Sequence, residues 1–350
     1  MAVDRRRRKV LGGLLAGLVA GWLGRVPSLA GPRGRDRRDR ERRDGRRGGA
    51  AGSGKTAGLP DVVVARRDAL RKAGAAPDPA VVREMLGAAI ARATGAADPV
   101  AGLRSLLKPG DVVGLKLNCL AGRGLSPRPE LVAALVGWLL EAGVAPRRIV
   151  LFDRSTRELR RAGFTPASVP GGVRVVGIDN DYDWTPREWG PSGSCFARVL
   201  VREVSALINV GVVKDHDLAG VSLGLKNWYG VIHNPNKMHD DGCFPYVAHL
   251  AAYPLIRDRL RLTVLDGIVA QAHGGPARAP KWSWPWGGVI VSAADPVAVD
   301  AIGLRVIEDR RREIGLPSLA AEKRAPRWLP EAERLGLGKA DPGRIRVVET

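Results

Sequence analysis

Apolar residues along the chain fall into two patterns: short β-branched runs, and longer segments in which they recur every three or four positions. Two longer segments, 79–94 and 129–144, predict amphipathic helices that begin at proline, and Gly143 is expected to end the second. Eight short runs predict strands: 61–66, 111–118, 148–153, 173–179, 205–213, 260–268, 287–293 and 344–349. Near-continuous apolar strands that alternate with helices predict an α/β fold, with a mainly parallel sheet covered by helices on both faces.

Residues 1–30 depart from this alternation and predict a signal peptide. An arginine run precedes the apolar stretch from Val10 to Leu23, and Ser28 and Ala30 occupy the −3 and −1 positions of a cleavage site. The letters RRKVL, residues 7–11, resemble a twin-arginine signal, which predicts contact with that export machinery and a location in the periplasm or cell envelope. The alternative is an uncleaved N-terminal membrane anchor. The apolar stretch is shorter than the roughly 20 residues of a stable membrane span.

Residues 31–57 are rich in Gly, Arg and Asp without any apolar period, which predicts a disordered basic linker. Within it, Gly49–Thr56 (GAAGSGKT) fits the letters of a P-loop, but an arginine run precedes it and Pro60 follows. A working P-loop lies between a strand and a helix, so we expect no nucleotide there. Residues 58–350 are expected to form a single α/β domain. This domain keeps only +9 of the chain's net charge of +20, and we expect it to have no specific nucleic-acid partner.

Polar side chains follow several of the predicted strands. In open parallel sheets, ligands bind beyond the carboxyl ends of the strands, so these residues are candidates for a site. We expect four of them to bind substrate: Lys116, Asn118, Asp153 and Asp266. The alternative for each aspartate is a helix N-cap, the usual role of an aspartate after a strand.

All five histidines fall in one window that begins at His216. Residues 218–230 are expected to form a helix, with Asp217 as its N-cap, so that Lys214 and His216 lie at a helix N-terminus that attracts anions. We expect His216 to act as general acid or base, with three further catalytic residues: Lys214, Lys226 and Asn227. A solvated surface lysine is the alternative interpretation of Lys214.

The loop HNPNKMHDDGC carries donors for Zn²⁺ or Fe²⁺, and a divalent metal is one expectation for this region. The metal ligands expected are His233, His239 and Asp295. The spacing of the two histidines matches no established ligand motif, and hydrogen-bonding or exposed histidines are the alternative. The only cysteines are Cys119, Cys195 and Cys243. With no C-x-x-C pair, neither a zinc ribbon nor a ferredoxin-type cluster is indicated, and an electron-transfer cluster would require the three sulfurs to lie close together.

An ordered series of short motifs resembles the family catalogued as domain of unknown function 362. It consists of Lys116-x-Asn118, Lys214-Asp215-His216, GVSLGLKN with Lys226-Asn227, LDGI followed by GGP, and ADPVAVD. The resemblance covers most of residues 58–310 and implies a fold and a site but no reaction. It also implies export, because many members carry an export signal. Many relatives carry an additional cysteine-rich ferredoxin module, which implies an association with redox or metal cofactors.

Two hypotheses for the function follow. In the first, the chain is an exported α/β enzyme, dependent on a metal or cofactor and with a redox link as one variant, that acts on a small anionic substrate. In the second, it is a non-catalytic periplasmic binding protein for an anionic polymer or a cofactor. Buried lysines and histidines that lie close together favour the first hypothesis, and scattered exposed ones favour the second.

Overall fold

A mixed β-sheet carries the fold in the computed structural model, which describes residues 60–72, 74 and 76–350. The expected signal peptide, the basic linker and the P-loop-like segment lie outside the described residues. Within the described part, the strands are β1 (Val62–Arg66), β2 (Val113–Lys116), β3 (Ile149–Asp153), β4 (Arg174–Gly177), β5 (Tyr182–Trp189), β6 (Ser192–Ala197), β7 (Ala206–His216), β8 (Gly220–Val221), β9 (Leu260–Gln271), β10 (Ser283–Trp284), β11 (Gly288–Ser292) and β12 (Val347–Glu349).

The main sheet has the strand order β12-β1-β11-β9-β7-β2-β3-β4, with short β10 on β9 and short β8 on β7. Five neighbouring strands, β4, β3, β2, β7 and β9, run parallel, and β11 runs antiparallel to both of its neighbours. The α/β fold with a mostly parallel sheet is therefore confirmed. Because β2, β3 and β7 are adjacent and parallel, their carboxyl ends lie side by side at one edge.

Helices cover both faces of this sheet. In the described residues they are α1 (Pro79–Thr94), α2 (Pro99–Leu106), α3 (Pro129–Glu141), α4 (Thr156–Ala162), α5 (Arg198–Arg202), α6 (Tyr246–Ala251), α7 (Pro254–Arg257), α8 (Pro296–Glu313) and α9 (Trp328–Arg334). Alternate strand residues enter two separate apolar cores, one with α1 to α4 and the other with α5, α6, α8 and α9. None of these helices has the length and apolar character needed to cross a membrane.

The prediction of a helix at 218–230 is wrong. The chain instead turns back after His216, and Gly220–Val221 pairs antiparallel with the end of β7 before a 3₁₀ turn at Leu225–Val231. Gly220 has a φ of +78°, and a Cβ there would lie 2.1 Å from the Arg324 carbonyl oxygen. The apolar spacing that suggested a helix reflects a segment buried on all sides, so Lys214 and His216 do not lie at a helix N-terminus.

The hairpin formed by β5 and β6 was not predicted from the sequence. Its strands mix polar and apolar residues, β5 contains Pro186, and the turn Gly190-Pro191 joins the two, so no apolar run marks them. It forms a separate two-stranded sheet. The strands of the main sheet carry the candidate site.

Candidate functional site

A cavity of about 430 Å³ opens at the carboxyl ends of β2, β3 and β7. The 3₁₀ turn at Leu225–Val231 and the loop that follows it supply the opposite wall. Eight of the eleven candidate site residues line this cavity: Lys116, Asn118, Asp153, Lys214, His216, Lys226, Asn227 and His239. The structure therefore brings these side chains to one place, and their roles remain predictions.

Lys116 is fully committed to neighbouring protein atoms. Its Nζ donates to Asp153 Oδ1 at 2.6 Å, to the Leu117 carbonyl oxygen at 2.6 Å and to Asn227 Oδ1 at 2.9 Å. Three acceptors match the three hydrogens of an ammonium group. The other Asp153 oxygen accepts the Cys119 N–H at 2.6 Å. We conclude that Lys116 joins β2, β3 and the 3₁₀ turn, and has no hydrogen left for a ligand.

Lys214 and Lys226 have different surroundings from Lys116. Lys214 Nζ donates to Asn118 Oδ1 at 2.9 Å, and Lys226 Nζ lies 3.1 Å from His239 Nε2. In the described residues neither ammonium lies within salt-bridge distance of a carboxylate. Burial lowers the pKa of each of these lysines to about 8. Among the described residues, the cavity thus holds two buried cationic groups that have no carboxylate in direct contact.

The tautomer of His239 follows from its partners. Its Nδ1 lies 3.1 Å from the Pro235 carbonyl oxygen, which only accepts, so Nδ1 carries the hydrogen. Nε2 then has the free lone pair and accepts from Lys226. Burial, followed by the charge of Lys226, lowers the pKa of His239, which keeps the ring neutral.

His216 is held as a neutral ring in the other tautomer. Its Nδ1 accepts the N–H groups of Leu218 at 3.2 Å and Ala219 at 3.3 Å, so the hydrogen lies on Nε2. Asp217 Oδ1 also lies 3.0 Å from Nδ1, but its side chain is exposed to solvent, whereas the two N–H donors belong to the backbone. Burial, then the charge of Lys226, lowers the pKa of His216 to about 2.

This geometry changes the role expected for His216. A ring that stays neutral near pH 7 and presents Nε2–H is a hydrogen-bond donor, and its lowered pKa makes it a weaker base than an ordinary histidine. The pKa values of the two lysines, about 8, lie closer to neutral pH than those of ordinary lysines. The rings of His216 and His239 stack with their centroids 5.6 Å apart, so donor and lysine belong to one cluster.

Asp300 positions the turn that carries Lys226 and Asn227. Its two oxygens accept the backbone N–H groups of Gly224 and Leu225, each at 2.8 Å, and burial raises its pKa to about 7. Asn209 Nδ2 donates to the Gly224 carbonyl oxygen at 2.9 Å. Sequence reasoning did not find this role for Asp300 or Asn209, although the motif ADPVAVD contains Asp300.

The GGP segment forms part of the cavity wall. Gly275 N–H donates to Asp215 Oδ1 at 2.7 Å, and a Cβ at Gly275 would lie 2.0 Å from the Asp215 carbonyl oxygen. Only glycine fits such an approach of two backbones. The contact places Pro276 in the cavity lining beside His216.

Asp266 was expected to bind substrate, but it does not line the cavity. Its Oδ2 accepts the Arg128 N–H at 2.6 Å and its Oδ1 accepts the Ile268 N–H at 2.9 Å. The side chain is buried, and burial raises its pKa to about 6. Asp266 therefore holds the chain at the start of α3, and both of its oxygens are occupied by backbone groups.

The three residues expected to bind a metal have separate neighbours. His233 packs its ring against Tyr182 and Trp184, while His239 faces Lys226. Asp295 caps α8 by accepting the Ala298 N–H at 2.7 Å, and its other oxygen accepts the Lys339 N–H at 2.9 Å. Across the described residues, no three or more His, Cys, Asp and Glu side chains are grouped closely enough to hold a metal ion. The expected ligand set does not assemble in this fold.

The three cysteines are free thiols and also lie apart in the fold. Cys119 belongs to the core on the α1–α4 face and Cys243 to the core on the opposite face, while Cys195, on β6, packs against the same core as Cys243. Burial raises the pKa of both Cys119 and Cys243, which keeps these thiols protonated. The arrangement does not support a cluster on the three sulfurs.

Comparison with known proteins places this site within a family. The family model described as "Domain of unknown function (DUF362)" matches residues 113–305, from β2 into α8, which is more than half of the chain. The chain is also similar to the Thylakoid-associated protein sll1697 of Synechocystis sp., with 24% identity over 246 residues, covering 65% of this chain and 72% of that protein. The matched range contains every cavity residue named above, together with Asp300 and the GGP segment. The chain belongs to the DUF362 family.

Proposed function

We propose that this chain is an enzyme that binds a small anionic substrate in the cavity between Lys214 and Lys226. The observation that carries the proposal is that two buried lysines share one cavity and neither has a carboxylate partner. A charged group without a counter-charge is costly to bury, and an anion in the cavity would offset that cost for both lysines together. Small carboxylates and phosphates have the matching charge and size.

The chemistry proposed for the cavity is proton exchange and polarisation of the bound anion. Lys214 and Lys226, with pKa values of about 8, change between ammonium and amine near physiological pH. A catalytic acid or base works best when its pKa lies near the operating pH. His216 would donate Nε2–H to a developing negative charge on the substrate without losing its proton.

The second hypothesis is a non-catalytic protein that binds an anionic polymer or a cofactor. Lys214, Lys226 and His216 are buried and share one cavity with the half-buried His239, which supports the enzyme instead. A polymer site would require cationic groups along an open surface, whereas Lys214 is fully buried and Lys226 is 7% exposed. Turnover separates the two, since only an enzyme consumes its ligand.

The proposed reaction contains no step through a metal or a redox centre. Two ammonium groups in the cavity would repel a divalent cation. Two of the metal-donor side chains that line it are already engaged, since His216 Nδ1 accepts two backbone N–H groups and both Asp153 oxygens have partners. Metal analysis of the purified protein checks this part of the proposal. A stoichiometric metal that is lost in His239→Ala would restore the metal-dependent enzyme.

We also propose that the protein is exported to the periplasm or cell envelope through a twin-arginine-type signal, rather than held by an uncleaved N-terminal anchor. The support is the composition of residues 1–30 and the family resemblance. The name of the Synechocystis relative places that protein at a thylakoid, which is consistent with a membrane-bounded compartment for this chain. Replacing Arg7 and Arg8 with Lys should stop export, measured as loss of the mature protein from the envelope fraction. Normal export of the double variant would overturn the twin-arginine proposal.

A screen of small anions tests the enzyme proposal. The protein is mixed with carboxylates, oxo acids and phosphate esters, and binding is detected as a rise in melting temperature. Anions that bind are then followed by proton NMR for conversion. We expect binding that is lost in Lys214→Met and retained in Lys237→Met, a matched control whose exposed side chain lies in the same loop as His239 but outside the cavity lining. Binding without any conversion would favour the non-catalytic hypothesis.

A further inference from the structure

Lys226 is the cavity lysine that a bound ligand reaches most easily. Lys116 has given its three hydrogens to protein acceptors, and Lys214 is fully buried, at 0% exposure. Lys226 is 7% exposed and lines the cavity, and its Nζ has one hydrogen-bonding partner, His239 Nε2. The Lys226 ammonium group is therefore held by one hydrogen bond, and its remaining hydrogens are available to a ligand.

The surroundings of Lys226 also favour a reactive amine. His239 is fixed by Pro235 in the tautomer that accepts from Lys226, so it orients the nitrogen without neutralising it by charge. With a pKa of about 8, on the order of a tenth of Lys226 is unprotonated at pH 7. For an exposed lysine with the usual pKa near 10.4, that fraction is below about a thousandth. Desolvation of this kind is a recognised way to activate a lysine as a nucleophile.

A neutral histidine that presents Nε2–H stands beside this amine. His216 lines the same cavity as Lys214 and Lys226, and its ring stacks on His239, the residue whose Nε2 lies 3.1 Å from Lys226 Nζ. A neutral imidazole of this kind donates a hydrogen bond to a carbonyl oxygen and polarises it without transferring its proton. An amine, a carbonyl-polarising donor and a second ammonium thus meet in one cavity.

We propose that Lys226 forms an imine with the carbonyl carbon of a small oxo acid, while Lys214 binds the carboxylate of that acid and His216 donates to its carbonyl oxygen. This inference rests on the proposed function, because it names the chemical class of the anion that the cavity accepts. A phosphate or a simple carboxylate would bind the two ammonium groups, but it has no ketone or aldehyde carbonyl to react with the Lys226 amine or to accept the His216 N–H.

The reaction balances without any further reactant. The lone pair of Lys226 Nζ forms a bond to the carbonyl carbon, and the π electrons of the C=O bond move onto oxygen. Both hydrogens of the amine end on that oxygen, which leaves as water when the N=C bond forms. Nothing is oxidised or reduced. A proton from solvent on the imine nitrogen gives the iminium cation, and the Tyr229 ring, whose centroid lies 4.0 Å from Nζ, stabilises a positive charge at that position.

Reductive trapping tests this inference directly. The full chain is incubated with pyruvate or with glyoxylate, sodium borohydride is added, and the intact mass and peptide map are measured. We expect one reduced adduct per chain, located on Lys226 and suppressed by excess phosphate. The adduct should be lost in Lys226→Arg, which keeps the positive charge but cannot form an imine, and should be retained in the matched variant Lys237→Arg.

The outcomes separate this inference from the proposed function. Saturable binding of pyruvate without an adduct, or an adduct on lysines other than Lys226, would overturn the imine and leave the anion site in place. Failure of phosphate, pyruvate and every other small anion to bind would overturn both. If Lys226→Arg does not fold, the position of the adduct in the unaltered chain still decides, because the peptide map reads it without any variant.

Discussion

Two corners of the same cavity use lysine in opposite ways. At the β2–β3 corner, Lys116 meets Asp153, Asn227 and a backbone carbonyl, and all of its hydrogens are used. At the corner formed by the end of β7 and the 3₁₀ turn, Lys214 and Lys226 each have one neutral partner. All three lysines are buried, so neither residue type nor burial distinguishes a structural lysine from a ligand-binding one. The number of ammonium hydrogens that lack a hydrogen-bond acceptor in the protein distinguishes the two kinds of lysine.

The buried aspartates follow the same rule. Asp266, Asp295 and Asp300 each place both oxygens on backbone N–H groups, and burial raises the pKa of all three. Their oxygens hold α3, α8 and the Gly224 turn in place by accepting backbone N–H groups. A buried polar group whose hydrogen bonds are complete serves the fold, and one whose hydrogen bonds are incomplete is available for function.

The largest effect is expected at the structural corner. Lys116→Met leaves Asp153 buried without its counter-charge and should lower the free energy of unfolding by about 3–5 kcal/mol, measured by urea denaturation at pH 7. The double variant Lys116→Met/Asp153→Leu should recover most of that loss, because no charge is left alone. Equal stability of Lys116→Met and the unaltered chain would show that the two corners do not differ.

At the corner formed by the end of β7 and the 3₁₀ turn, removal of a lysine should raise the free energy of unfolding instead of lowering it. Lys214→Met removes an ammonium that is buried without a counter-charge, and should raise the free energy of unfolding in the absence of anions by roughly 1–3 kcal/mol at pH 7. Urea denaturation in a buffer without phosphate or carboxylate measures it. A loss as large as that of Lys116→Met would place Lys214 in the structural class.

The unaltered chain and Lys214→Met should also differ in how their free energy of unfolding depends on pH. Lys214 has a pKa of about 8 in the folded chain against a usual 10.5, so between these values the unfolded chain binds more protons. Stability of the unaltered chain therefore rises with pH from 8 to 10.5, while below pH 8 the lysine is protonated in both states and contributes no slope. The difference in the free energy of unfolding between Lys214→Met and the unaltered chain should shrink across that interval. A difference that stays constant would contradict the lowered pKa of Lys214.

A smaller effect is expected at Asp300. Asp300→Asn turns one acceptor into a donor facing a backbone N–H, and should lower the free energy of unfolding by about 1–2 kcal/mol and weaken anion binding through the Lys226 turn. The folded pKa of about 7 lies above the usual 3.8, so the stability from this group is present below pH 3.8 and lost as pH rises through 7. That slope should be absent from Asp300→Asn. Unchanged anion affinity would show that Asp300 does not position the turn.

The main sheet was predictable because its strands are short apolar runs with sharp ends, and α1 matches its expected bounds at Pro79–Thr94. Strand-end placement also gathered Lys116, Lys214 and Asp153 correctly. Apolar periodicity failed at 218–230 because a segment buried on every side has apolar residues on every side, whatever its backbone does. Roles were harder still, since the hydrogen-bond partners of Asp266, Asp295 and Asp300 are backbone groups, which no residue letter identifies.

Calorimetric titration of phosphate and pyruvate into four proteins tests the central claim most directly. The four are the unaltered chain, Lys214→Met, Lys226→Met and the control Lys237→Met. We expect each cavity variant to lose about tenfold or more in affinity, about 1.4 kcal/mol, while the control binds as the unaltered chain does. We also expect the affinity of the unaltered chain to fall as pH rises above 8, where both lysines lose their protons. Equal affinities in all four proteins at pH 7 would contradict an anion site at Lys214 and Lys226.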